Sequence, residues 1–421
     1  MVTSVGRSFD RMWSDLEPIG RSGQTGGYRR HAWTRTDHDL REWFVGECAA
    51  RDLEVVEDRA GNQWAWWGDP DTTPGVVIGS HLDSVPDGGA FDGPLGVVSA
   101  LATVDALRAA GVTPHVPLGV VNFVDEEGAR FGVACAGSRI ITGVLTADRA
   151  RSLTDADGVS MAQAWRSAGR DPATMGPDPE TLSRVGCFVE LHVEQGKALA
   201  LAPDGSDDLT DPARAVAIGT DIWPHGRWRI DIPGEANHAG TTRLEDRHDA
   251  MLGLASVVQS ARSYAAGLGC VATVGKVLVE PGGVNAIPSH VTAWLDARGA
   301  DEDAVRATVA GVSADAAALG AGTTEESWTP TTRFDPSLVS RLSGILPGAP
   351  LLGTGAGHDA GILATHGVPS AMLFVRNPTG VSHSPAESAR AEDCHAGVDA
   401  LTAVVTELCN GRTTTPMSDG R

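Results

Sequence analysis

The feature that most constrains this chain is a short apolar run, Val76-Val77-Ile78-Gly79. It stops abruptly at Ser80-His81-Leu82-Asp83 and leads into a Gly/Pro-rich loop carrying Asp92. A run of this length bounded by Gly reads as a buried strand, and a helix of small residues begins near Val97. The same rhythm returns in the strand Leu118–Val124, a helix around Ser138–Thr146, the strand Phe188–Val193, a strand at Pro369–Val375 and a final helix at 391–409. Strands alternating with helices predict an α/β fold, a mainly parallel sheet with helices on both faces. Ahead of it, residues 8–60 read as helix, loop, helix and strand, and Gln63–Trp67 reads as an edge strand. The Gly-rich loop Gly20–Arg30 follows no strand, so a structural or cleft-lining turn is expected there rather than a phosphate loop.

Between about 218 and 330 the order changes. Trp228-Arg229-Ile230-Asp231-Ile232 alternates in polarity, a long amphipathic helix covers 244–266, strands follow at 270–279 and 290–297, and an Ala-rich helix covers 301–320. Strands with helices on one face make a smaller α+β module inserted in the main fold. The expected division is a discontinuous catalytic domain, 1–217 and 331–421, and an inserted lid and dimerisation domain, 218–330. Residues 150–186 show no chemistry, and the tail Gly411–Arg421 is expected to be disordered.

The formal charge of −21 excludes a basic nucleic-acid footprint. It also repels anionic ligands at long range, so an anionic substrate needs a local cationic centre. No apolar run is long enough to span a bilayer, and Met1–Arg7 lacks the apolar core of a signal peptide. The six cysteines form no C-x-x-C pair, which argues for reduced thiols and a cytoplasmic protein.

Four strand ends of one sheet then carry the chemistry: His81 with Asp92, Val124-Asp125-Glu126-Glu127-Gly128, His192, and Ser382-His383-Ser384-Pro385 after the last strand. Ligands sit beyond the carboxyl ends of strands in open α/β sheets. Consecutive acids there repel one another unless something positive lies among them. Three histidines and two carboxylates suit two divalent zinc-like ions with one carboxylate bridging, and leave one glutamate of the 126/127 pair as a base.

These segments resemble the M20-type binuclear zinc amidohydrolases, in the allantoate amidohydrolase and N-carbamoyl-L-amino-acid hydrolase branch. The matching motifs are Gly79–Val85, Gly89–Gly93, Glu126–Phe131, Glu190–Gly196, Gly234–Thr242, Asn285–Pro288, Gly357–Ala360 and Ser382–Glu387. The resemblance implies one metal held by His81, His192 and bridging Asp92, and a second held by Asp92, Glu127 and His383. It further implies Glu126 as general base and Asp83 as the carboxylate orienting His81. Gln195, His225, Asn285, Arg298 and His358 are implied substrate residues, Arg298 gripping an α-carboxylate. His238 would stabilise the oxyanion from the neighbouring subunit of a homodimer. His192 stands where the peptidases of this fold usually carry an acidic ligand. The implied activity is hydrolysis of a non-peptide C–N bond in a small anionic N-substituted amino acid. Two divalent ions per subunit would serve it, Zn²⁺ with Mn²⁺ acceptable to the same ligands.

Two departures from the family pattern bear on substrate: Arg243-Leu244 after Thr241-Thr242, and Arg376 before His383. Were either guanidinium to enter the cleft, a second substrate carboxylate would follow, as in an N-formyl- or N-formimino-glutamate. An aminoacylase or dipeptidase of the same fold is the other enzymatic alternative. A catalytically dead scaffold is disfavoured, because all five ligands and Glu126 are present.

Overall fold

The computed structural model describes residues 4–202 and 204–410. The expected disordered tail, Gly411–Arg421, lies outside the described residues, as do Met1–Thr3 and Pro203. The chain forms two compact units. One comprises the segment up to Thr220, Arg333–Leu352 and the segment from Gly357 onward; the other comprises Asp221–Thr332 with Gly353–Ala356.

The first unit is built on a nine-stranded sheet. Its order is Glu54–Glu57, Gln63–Trp67, Leu118–Phe123, Gly75–His81, Val185–Val193, Ser370–Val375, Val216–Ile222 and Thr332–Arg333, with Leu351–Thr354 also pairing Val216–Ile222. The four central strands run parallel, Leu118–Phe123 and Val185–Val193 flanking Gly75–His81, and Ser370–Val375 following. The outer strands are antiparallel. Gln63–Trp67 is therefore not the edge; Glu54–Glu57 covers it, because the hairpin turn at Asp58–Asn62 folds that strand back. Val216–Ile222 also joins this sheet instead of opening the inserted module, pairing with Ser370–Val375.

Burial follows from composition. Every residue of Gly75–His81, Leu118–Phe123 and Ser370–Val375 is buried, as fits strands covered on both faces. The helix Pro94–Ala109 packs on Gly75–His81 and against the terminal helix Ala391–Asn410. Its approach is close enough that a Cβ on Gly96 would lie 2.3 Å from the Leu191 carbonyl oxygen and 2.6 Å from Ser80 Cβ. Only glycine fits there.

The second unit is a four-stranded antiparallel sheet, ordered Gly322–Thr329, His225–Pro233, His290–Arg298 and Val271–Glu280. The helices Ala250–Leu268 and Glu302–Ala318 pack on it. His290–Arg298 alternates strictly between buried and half-buried positions, the signature of a sheet with one covered face. The amphipathic helix begins at Ala250, capped by Asp249; Leu244–Asp246 forms a separate short turn.

Candidate metal centre

At the carboxyl end of the central strands, residues from five places in the first unit meet. His81 closes its strand and pairs in register with Phe123, so the turn Val124–Gly128 begins beside it. His192 lies one strand over, in register with Phe374. Asp92 arrives on the loop after His81. That loop reaches over the ring because Gly93, at φ 84, has no Cβ; one would sit 2.4 Å from the His81 imidazole.

Ligand atoms of His81, Asp92 and His192 all lie within 4.8 Å of one another, and so do those of Asp92, Glu127 and His383. Asp92 is common to both sets. Its Oδ1 is 3.5 Å from His81 Nε2 and 3.2 Å from His192 Nε2, and its Oδ2 is 3.4 Å from His383 Nε2. Glu127 Oε2 is 3.6 Å from His383 Nε2.

The donor set tests whether cations fit. His192 Nδ1 is 2.9 Å from the Val193 carbonyl, and His81 Nδ1 is 3.2 Å from the Asp83 carbonyl. Each ring therefore donates through Nδ1 and turns the Nε2 lone pair toward the Asp92 carboxylate. A lone pair facing an anion is repulsive unless positive charge lies between them. His81 Nε2, His192 Nε2 and Glu127 Oε1 are buried with no hydrogen-bond partner, at a cost the fold tolerates only where something else binds them. The residues fit a pair of divalent ions.

Titration shifts record the same imbalance. Burial opposes charge on His81, yet the carboxylates of Asp83, Asp92 and Glu126 outweigh it and raise its pKa well above the usual value. Burial, with Asp92 adding repulsion, pushes Glu127 up to about 7. Hydrogen bonding to Asp92 lifts His383 to about 9, against partial burial. Burial also drives the Glu126 carboxyl well above its ordinary range, His81 opposing and Asp359 and Glu127 adding. Protons stand in for missing positive charge; bound cations would displace them and return the carboxylates to the ionised form.

Asp83 organises the centre in two directions. One carboxylate oxygen lies 3.3 Å from His81 Nδ1, and the two oxygens accept the backbone N–H groups of Glu126 and Glu127 at 3.2 and 3.1 Å. Glu126 reaches His81 Nε2 at 3.8 Å. Gln195 lies in the same cluster and donates to Asp92 Oδ2 at 2.8 Å. His358 is brought against His192, ring centroids 4.6 Å apart, but is 2% exposed. Burial holds it neutral, its pKa well below the usual imidazole value.

The remaining residues implied to meet the substrate or its oxyanion belong to the second unit. His225 and Arg298 are direct cross-strand partners. His238 pairs with Ala286, next to Asn285. His238 and Asn285 are exposed, His225 and Arg298 half-buried. The Gly240 N–H donates to His238 Nδ1 at 3.0 Å, so the neutral ring carries its proton on Nε2. Arg298 is already engaged by Asp296 at 2.6 and 3.0 Å and by the Gly355 carbonyl at 2.8 Å.

Arg376 does not enter the cleft. It is 1% exposed, gripped by Asp393 at 3.1 and 2.6 Å and donating to the Asp211 carbonyl at 3.0 Å. A buried guanidinium so far from water is held by its partner carboxylate, and Asp393 on the terminal helix supplies it. Arg243 pairs with Asp246 at 2.7 and 2.9 Å on its own exposed turn. Neither is a free cation for a second substrate carboxylate.

Glu387 has no assigned part in the sequence reading, although it closes the Ser382–Glu387 motif. Its Oε2 accepts the N–H groups of Phe91 and Asp92 at 2.8 and 3.0 Å, and its Oε1 accepts Ser382 Oγ at 2.9 Å. It ties the Asp92 loop to the His383 turn. The five-residue spacing from Ser382 was the available signal; the 295-residue separation from Asp92 hid the rest.

Residues 77–407 match the model of peptidase family M20/M25/M40, and the chain belongs to that family. It is 35% identical to the N-carbamoyl-L-amino acid amidohydrolase of Geobacillus stearothermophilus, covering 96% of this chain and 99% of that protein. It is 29% identical to the allantoate amidohydrolase of Escherichia coli (strain K12), covering 97% and 99%. Among solved structures, an amidase of the hydantoinase/carbamoylase family from Burkholderia multivorans superposes with a TM-score of 0.81 at 29% identity, covering 96% of this chain and 98% of that one.

Proposed function

We propose that this protein is a metal-dependent hydrolase of a non-peptide C–N bond in an N-substituted amino acid. The observation that carries it is the convergence of two three-residue ligand sets sharing Asp92. An N-carbamoyl-L-amino acid is the first choice of substrate, since the relative named for it is 35% identical. Allantoate is the second reading, supported by a relative at 29%. The diacid alternative loses its support with the pairing of Arg376 and Arg243.

His81, Asp92 and His192 would hold one ion, and Asp92, Glu127 and His383 the other. Zn²⁺ suits these ligands, and Mn²⁺ suits the carboxylates and imidazoles too. Two such ions supply Lewis acidity and make water acidic enough to ionise near neutral pH. The chain's own residues do the rest. Glu126, not needed as a ligand, takes a proton from the attacking water and returns it to the departing nitrogen. Asp83 keeps the Glu126–Glu127 backbone and the His81 ring in place. His238 of a neighbouring copy in a homodimer would offer its Nε2–H to the developing oxyanion. Arg298 takes the substrate carboxylate in competition with Asp296, while Gln195, His225, Asn285 and His358 complete the substrate contacts. Hydrolysis of a carbamoyl group then leaves the amino acid, ammonia and carbon dioxide.

A homodimer fits the second unit. Val271–Glu280 is an edge strand of its sheet with Val271, Val277 and Leu278 exposed, and open apolar edges pair with other chains. Among the described residues no helix is long and apolar enough to cross a membrane. The six cysteines are unpaired, which supports a reducing, cytoplasmic setting.

The test is a panel of N-carbamoyl-L-amino acids, allantoate, N-formylglutamate and dipeptides, assayed by product release with metal-loaded protein. Turnover of a carbamoyl substrate, abolished by chelation and by Glu126→Gln, is expected. Turnover of the dipeptides alone would overturn the reading.

A further inference from the structure

Cys135 has no part in the chemistry described so far, and three features set it apart. Its Sγ lies 3.2 Å from Glu126 Oε1, and no other hydrogen-bond donor to that side chain is seen among the described residues. Its backbone N–H donates to the Glu126 carbonyl, while the Ala136 and Gly137 N–H groups take the carbonyls of Asp125 and Val124 at 3.0 Å each. The start of the helix Ala136–Ile141 thus cradles the turn that presents both glutamates. Finally, Cys135 sits at φ 53, in the left-handed region. A side chain there is strained and glycine would relieve it; strain kept at a site points to a use for the side chain.

We infer that Cys135 is a positioning residue, its thiol holding the Glu126 carboxylate in the orientation from which it takes and returns the proton. The inference rests on the reading of Glu126 as the base. The thiol is 2% exposed, and burial together with the neighbouring carboxylates keeps it protonated, so it acts as donor and not as nucleophile. A carboxylate with one weak donor swings more freely than one with two or three. Removing that donor therefore lowers the fraction of turnovers in which Glu126 is aligned, leaving ion ligands and substrate residues as they are.

The experiment compares Cys135→Ser, Cys135→Ala and Cys135→Gly in the metal-loaded protein. Serine keeps a donor and holds kcat within about twofold, whereas alanine and glycine lower kcat about three- to tenfold. KM and metal content stay unchanged throughout, and glycine does not lower Tm because it removes the strain. A second readout needs no substrate. The infrared S–H stretch that disappears in Cys135→Ser shifts to higher frequency in Glu126→Gln, where a neutral amide replaces the carboxylate acceptor. Wild-type kcat in both the alanine and glycine variants, or an S–H band indifferent to Glu126→Gln, overturns the inference. If the wild type turns over nothing in the panel, the functional reading fails by itself, and the band still decides whether the thiol holds Glu126.

Discussion

The two units carry their candidate residues in opposite ways. In the first, His81, Asp92, Glu126 and His192 are each at most 5% exposed, and most are held by a further group: Asp83 for His81, the Val193 carbonyl for His192, Glu387 for the Asp92 loop. In the second, His238 and Asn285 stand in solvent on a two-stranded loop pairing, His238 held by its neighbours Asn237, Gly240 and Thr242. The contrast teaches where precision is required. Ions bound by imidazole and carboxylate tolerate little misplacement. His81 and His192 are accordingly built into strand ends and backed by carbonyl hydrogen bonds, while His383 completes the set from an exposed turn. Groups that meet a substrate only when it arrives can stand open, as His238 and Asn285 do, although His358 is buried beside His192.

The contrast can be broken by substitution. The largest effect is expected from Glu126→Gln, which should cut kcat roughly 10²- to 10⁴-fold with metal content intact. Loss of metal instead would make Glu126 a ligand. Next, His238→Ala should lower kcat roughly 10²- to 10³-fold while Tm and metal stoichiometry stay at wild-type values; a fall in Tm would mean that the exposed loop is structural after all. Glu387→Ala should weaken metal affinity by about 10- to 100-fold, measured by competition with a chromogenic chelator. Unchanged affinity would show that the Asp92 loop holds itself.

A pH titration sharpens the same point. Metal binding must displace protons from Glu127, raised to about 7, and His383, raised to about 9. The affinity of the metal-free protein should climb by about tenfold per pH unit for each proton displaced. It should be lowest below pH 7, where both groups are protonated, and level off above pH 9. A flat profile would mean that the ligands are preset in the deprotonated form. The smallest effect is expected from Arg243→Ala. Its guanidinium is paired on an exposed turn, so kcat/KM and stability should stay within about 0.5 kcal/mol of wild type.

Much of the first unit's site was legible in the chain. Strand ends in an open α/β sheet lie along one edge, so His81, Asp92, His192, His383 and the Glu126–Glu127 pair could be grouped from local pattern. The choice of Glu127 over Glu126 as a ligand came only from the family resemblance. Arg376 misled because a charged residue immediately after a buried strand and seven before His383 looks like a cleft residue. Its partner Asp393 lies on another helix, and nothing local announces that pairing. Glu387 and Cys135 were missed for a related reason: their partners are 296 and 9 residues away, joined only when loops fold over one another.

Periodicity and residue chemistry by themselves determined the strand and helix order, the inserted α+β segment and the metal-binding character, because each is a property of short stretches. Tertiary structure alone decided that Val216–Ile222 joins the large sheet, which histidine nitrogens face Asp92, and that the Glu126 carboxylate lies against a thiol. Those outcomes depend on close packing between distant segments, where a few tenths of an ångström separate a hydrogen bond from a clash, and no local pattern carries that information.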